Sequence, residues 1–151
     1  MIELRSRPLM RVEIALHPPL EIGATPLGRR RVVNVAGGTF AGERLRGRIL
    51  DGADWLLLRG DGCFQQDVRM TLETDDGALI LMTYRGVRHA SPDVAARLAR
   101  GEAVDRSDFY LRTAPFFETA APAYAWLNQI VSVAMGERIK TGVGYDLFEI
   151  L

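Results

Sequence analysis

The chain reads as mainly β: a single antiparallel meander β-barrel of about eight to nine strands with one short helix, forming one domain over residues 1–151. Three observations carry this reading. Nine short segments rich in apolar alternation recur at near-regular spacing. Asp-Gly pairs at Asp51-Gly52, Asp61-Gly62 and Asp76-Gly77 punctuate them, and this dipeptide tolerates the positive φ of a tight hairpin turn. Only residues 91–100 carry clear helix signals. A meander that closes on itself also removes the open edges that a sheet of this size must otherwise protect.

The elements follow in order. Residues 9–16 place Met10, Val12, Ile14 and Leu16 on one face and Arg11 and Glu13 on the other, and His17-Pro18-Pro19 ends the strand. Residues 30–36 make a second strand, interrupted by Gly37-Gly38. The run Arg29-Arg30-Arg31 leads straight into Val32-Val33 and reads as the solvated start of that strand. Residues 45–50 are a third strand turned by Asp51-Gly52, and 55–59 a fourth turned by Asp61-Gly62. In 68–74, Val68, Met70 and Leu72 oppose Arg69, Thr71 and Glu73, and Asp76-Gly77 turns the chain into 78–86. The helix has Ser91 as N-cap, Pro92 in its first turn, Asp93 at the positive end of the dipole and Gly101 as its stop. Residues 110–114 return to strand and stop at Pro115, which has no N–H for a ladder. Residues 124–128 read as a helical turn, and 130–135 and 143–150 complete the set.

Composition narrows the function. The 48% apolar and 25% charged shares are those of a globular domain. A formal net charge of zero argues against an electrostatic nucleic-acid partner. Cys63 is the only cysteine, so neither an internal disulfide nor a multi-cysteine metal site is available. The first ten residues mix acids and bases without a long apolar run, so no signal peptide or membrane anchor is expected, and a cytoplasmic protein is.

Several motifs appear in order: Gly47-x-x-Leu50-x-Gly52-x-Asp54-Trp55, Asp67-x-Arg69, Asp76-Gly77-Ala78, Arg112-x-x-Pro115-x-Phe117-Glu118-Thr119 and Tyr124-x-Trp126-Leu127-Asn128. Together they resemble an uncharacterised family of bacteria and fungi, domain of unknown function thirty-two thirty-seven, over nearly the whole chain. The resemblance implies a compact antiparallel β-barrel with a central cavity that associates with copies of itself, and it implies no particular activity.

Candidate chemistry is reached by elimination. His17 and His89 are the only histidines, and no His-Glu-x-x-His or paired-Cys spacing exists, so no metal or other cofactor is expected. No Gly-x-Ser-x-Gly is present, and the glycine-rich residues 37–42 follow a strand but open no helix, so a dinucleotide loop fails on context.

The stretch 110–128 gathers charged and amide groups among large apolar side chains, which suggests either a polar network or a ligand-facing wall. The expected site is a small-molecule pocket in the barrel lined by Asn34, Arg69, Tyr84, Arg112, Glu118, Trp126 and Asn128, with Tyr145 as a further aromatic wall. If it is an enzyme, cofactor-independent acid–base chemistry fits best: an isomerase, cyclase or lyase step. Glu118 or Asp67 would move the proton, and Arg112 or Arg69 would hold an oxyanion. Each residue also has a plainer role. Asp67 and Arg69 sit on what alternation makes a solvated face, Arg112 and Glu118 could bridge to close the barrel, and Asn128 could cap a turn. A non-catalytic carrier and a structural homo-oligomer therefore stand as alternatives, with no nucleic acid or membrane as partner.

Overall fold

Met10, Val12 and Ile14 turn inward along β1 (Ser6–Leu16), as their alternation requires. The computed structural model describes residues 1–151. After β1 come β2 (Leu20–Thr25), β3 (Gly28–Ala41), β4 (Arg46–Leu58), β5 (Phe64–Thr74) and β6 (Leu79–Ala90). Helix α1 (Pro92–Ala99), β7 (Phe109–Glu118), β8 (Ser132–Ile139) and β9 (Gly142–Ile150) follow. Short 3-10 segments occupy Arg106–Asp108 and Pro122–Gln129.

Strands β3 to β9 pair in chain order. β9 then pairs with β1, and β1 skips β2 to pair with β3, which closes an eight-stranded antiparallel barrel. The ninth strand, β2, is a hairpin arm on the first part of β3, where Leu20 faces Val32 and Thr25 faces Gly28. The helix forms where its caps place it: the Ser91 hydroxyl accepts the Val94 N–H at 3.3 Å, and Leu98 is buried.

Three local signals act differently from their sequence reading. Asp51-Gly52 does not turn the chain, because β4 runs through it as a β-bulge. A three-residue step on β4, from Ile49 to Gly52, spans the two-residue step from Leu72 to Met70 on β5. The inward face therefore changes from odd to even positions: Ile49 before the bulge, then Gly52, Asp54 and Leu56. Gly37-Gly38 likewise lies within β3, at a register shift against β1 between Ala15 and Leu16. Pro115 does not end β7 either. Its carbonyl accepts the Ser132 hydroxyl at 2.6 Å, so the side lacking an N–H faces β8 beyond the short Arg112–Met135 and Thr113–Ala134 ladder. A proline costs nothing where no ladder bond was to be made.

The interior is divided. Val12, Phe40, Ile49, Leu72, Ile80 and Leu147 fill one half of the barrel and are nearly inaccessible. That end is sealed by the Pro122–Gln129 segment, which buries Leu127. The other half is hollow, and α1 packs across its mouth.

Candidate functional site

The hollow half is a cavity of about 740 Å³, within the usual size of small-molecule sites. Register places its polar groups in adjacent rows. Val33, Asp54, Val68, Tyr84 and Pro115 lie side by side across β3 to β7. One row nearer the mouth come Gln66 on β5, Gly86 on β6 and Thr113 on β7. Tyr145 enters from β9 opposite Gly136. A side chain at Gly136 would meet Leu111 at 2.4 Å and the Tyr145 ring at 2.7 Å, so the glycine makes room for that tyrosine.

Asp54 is the only carboxylate on the cavity wall. The β4–β5 ladder opens at Trp55 and Leu56 without a register shift, and the Asp54 Oδ1 accepts the Asp67 N–H at 3.0 Å. Burial nevertheless dominates and pushes the Asp54 carboxyl up to about 6. That hydrogen bond and the charges of Arg88 and Arg30 pull it down, too weakly to restore the ordinary value. Tyr84 and Tyr145 meet edge-on with ring centroids 5.4 Å apart. Burial raises both phenols, and the nearby Asp54 charge adds to the effect.

Arg88 lies two rows above Tyr84 on the inward face of β6, with its guanidinium 4.3 Å from the centre of the Phe64 ring. Burial pulls Arg88 below the ordinary arginine value, and the charges of Arg138 and Arg31 push the same way. Arg31 is partnered by Glu21 at 2.8 Å, and Arg138 donates to the Leu98 carbonyl at 2.7 Å, which ties α1 to β8. Arg88 has no carboxylate within ion-pair distance. The Gln66 side chain is buried, and its Oε1 has no hydrogen-bond partner.

Of the residues named from sequence, Tyr84 lines this cavity, as does Tyr145. Asn34 and Arg69 come together in a shallow groove on the outer wall with His17, Asp51 and Thr71. Arg112 also faces outward, 4.9 Å from the Tyr110 ring centre, and donates to the Leu111 carbonyl. Asp67 points away from the interior and reaches Arg85 only at 3.9 Å. Glu118 is exposed, six residues along β7 from Arg112, or about 20 Å at strand rise, so no bridge joins the two. Trp126 sits at the sealed end with the Arg44 guanidinium 3.8 Å from its ring centre, and Arg44 in turn pairs with Glu149 at 2.6 Å. The Asn128 amide accepts the Thr119 N–H at 2.8 Å and donates to the Thr119 carbonyl at 2.9 Å, capping the loop after β7.

The cavity groups that sequence reasoning passed over left traces. Asp54 belongs to the Gly52-x-Asp54-Trp55 motif, Gln66 lies two residues before Val68, and Arg88 continues the Tyr84 face once β6 runs past Gly86. No group of three or more His, Cys, Asp or Glu side chains is arranged to hold a metal ion, and no helix is long and apolar enough to cross a membrane.

A closed antiparallel barrel with a half-hollow, mainly apolar interior that carries a few polar groups is thus the class of protein that fold and cavity define. The chain belongs to the family described as "Protein of unknown function (DUF3237)", whose model matches residues 4–150. It is 36% identical over 132 residues to a UPF0311 protein of Rhodopseudomonas palustris, covering 87% of this chain and 84% of that one. A UPF0311 protein of Clostridium acetobutylicum is 29% identical over 150 residues, covering 98% and 95%. Among solved structures, a conserved protein of unknown function from R. palustris superposes with a TM-score of 0.93 at 30% identity over the full length of both chains. A β-barrel-like protein of Acinetobacter baumannii gives 0.86 at 39% identity, covering 100% of this chain and 98% of that one. An enzyme from Penicillium herquei shares the fold at 18% identity, with a TM-score of 0.77 and coverage of 100% and 97%.

Proposed function

We propose that the protein binds a small molecule inside the barrel and acts on it by cofactor-independent acid–base chemistry, as an isomerase, cyclase or lyase. One observation carries the reading: the one carboxyl on the cavity wall, Asp54, is raised by desolvation to about 6 in a cavity that also holds two tyrosines and an unpaired arginine. A base works best when it titrates near the working pH, and above about 6 the Asp54 carboxylate can take a proton from a bound substrate. Arg88 and the tyrosine hydroxyls are the donors available to an oxyanion that forms as the proton leaves. Asp54 takes the place of Glu118 and Asp67, and Arg88 that of Arg112 and Arg69, because Asp54 and Arg88 line one cavity. With its lone Cys63 unpaired, the chain suits a cytoplasmic setting.

The test is a melting-temperature screen of small organic molecules, followed by product analysis of every stabilising compound with wild type and Asp54→Asn. The expected outcome is a compound that both proteins bind and only wild type converts, the variant being slower by a factor of about 10² or more. The same cavity with no catalytic step would make the protein a carrier. Ligands that bind tightly and are never transformed, with Asp54→Asn indistinguishable from wild type, would establish that reading instead.

A further inference from the structure

The charges around the cavity do not balance. Asp54 is its one acid, whereas Arg31, Arg88, Arg100, Arg138 and Lys140 all contribute to the wall. Partners inside the protein account for part of this excess. Arg31 faces Glu21 at 2.8 Å, and Arg100 faces Glu102 at 2.9 Å. Arg138 has only the Leu98 carbonyl, and Arg88 has only the π-face of Phe64. Arg31 also lies 5.9 Å from the centre of that same Phe64 ring, so two guanidiniums converge on one aromatic side chain. Arg31 is offset by Glu21 and is a third exposed, so Arg88 is the cation left half-buried without a carboxylate, and a neutral guest would leave it so. A planar oxyanion can accept two parallel N–H bonds from a guanidinium and supplies the counter-charge that Arg88 lacks.

Gln66 adds a second requirement. Its side chain is buried, it lines the cavity one row from Asp54, and its Oε1 accepts no hydrogen bond from the protein. A buried amide oxygen left without a donor is costly, so it selects a guest that brings one. Phe64, level with Arg88, and Tyr84 and Tyr145 supply flat aromatic walls to the same cavity.

We infer that the natural ligand is a small aromatic or conjugated hydroxy-acid or hydroxy-phenolate: its oxyanion meets Arg88 and Arg138 toward the mouth, and its hydroxyl donates to Gln66 beside Asp54. This rests on the cavity's being the functional site, as proposed above, and it deepens that reading by naming the substrate class.

The probes are 4-hydroxybenzoate and its methyl ester, which share ring and hydroxyl and differ in charge. Calorimetric titration of wild type should find the acid bound at least tenfold more tightly than the ester. Arg88→Met should abolish that preference by weakening the acid alone, Arg88→Lys should keep part of it, and Arg112→Met on the outer wall should alter neither probe. Asp54→Asn, which removes the one like charge, should tighten the acid. An ester that binds as well as the acid, or an Arg88→Met protein that keeps its preference, would overturn the ligand class while leaving the cavity as the site. Failure of both probes to perturb cavity resonances of folded wild type would overturn the ligand class and the site together.

Discussion

At the scale of single residues, Asp54 shows how burial outweighs local compensation. Its carboxylate receives a backbone N–H and lies near two arginines, yet desolvation still raises it from 3.8 to about 6. The folded protein therefore holds the Asp54 proton more tightly than the unfolded chain does. The stabilisation this provides is complete below about 3.8 and is lost as pH rises through about 6. The displacement is worth roughly 3 kcal/mol at most. Asp54→Asn carries no such penalty. It should match wild type in denaturant melts near pH 3.5 and exceed it by up to about 3 kcal/mol at pH 7. Equal wild-type and variant stabilities at both pH values would mean that the carboxyl is solvated and unfit as a base near neutrality. Other carboxylates, such as Glu149 beside Arg7 and Arg44, are lowered and oppose this trend, so the comparison must be between variant and wild type.

At the scale of elements, the bulge in β4 decides which side chains enter the barrel. Without the extra residue, the alternation that brings Ile49 inward would carry Ala53 and Trp55 inside and turn Asp54 out to solvent. Gly52 makes the bulge possible by close approach. A side chain there would lie 2.3 Å from the Arg69 carbonyl oxygen and 2.7 Å from the Met70 Cα, and backbone cannot step aside as a rotamer can. Gly52→Ala should therefore cost about 2–3 kcal/mol in urea denaturation and weaken whatever binds the cavity, because the second half of β4 must shift. A variant as stable as wild type would show that the strand tolerates a different path and that the bulge does not fix the site.

At the scale of the whole molecule, closure separates the inner cavity from the outer wall, where Arg112 lines a separate, more open depression with Tyr110, Arg85 and Met135. Arg112 and Glu118 are on that outer wall, without an ion pair between them. Glu118 is exposed and Arg112 half-buried without a carboxylate partner, and such outer-wall charges contribute little, so Arg112→Met and Glu118→Gln should each change stability by less than about 1 kcal/mol. Titration of any cavity ligand into these variants should return the wild-type affinity. A large loss of binding by either would move the site to the outer face of β7.

Much of the architecture was legible in the chain, because hydrophobic alternation, Asp-Gly turns and helix caps are local physics. The alternation Val68, Met70, Leu72 against Arg69, Thr71, Glu73 predicts β5 and its two faces, and Ser91 with Gly101 brackets α1. The ends of strands were less legible. Asp51-Gly52 and Pro115 are turn and stop signals in isolation, and only the neighbouring strands show that one is a bulge and the other lies where no ladder bond is needed. The candidate site depended on those very points. Sequence alone determined the antiparallel β class and most of its strands and the helix, but it left β2 as loop and split β4 at Asp51-Gly52. Tertiary structure decided the rest, because the pairing register across β3 to β9 brings Asp54, Tyr84, Arg88 and Tyr145 into one cavity and leaves Arg112 and Glu118 outside. Which face a residue presents depends on a one-residue slip that no local pattern encodes.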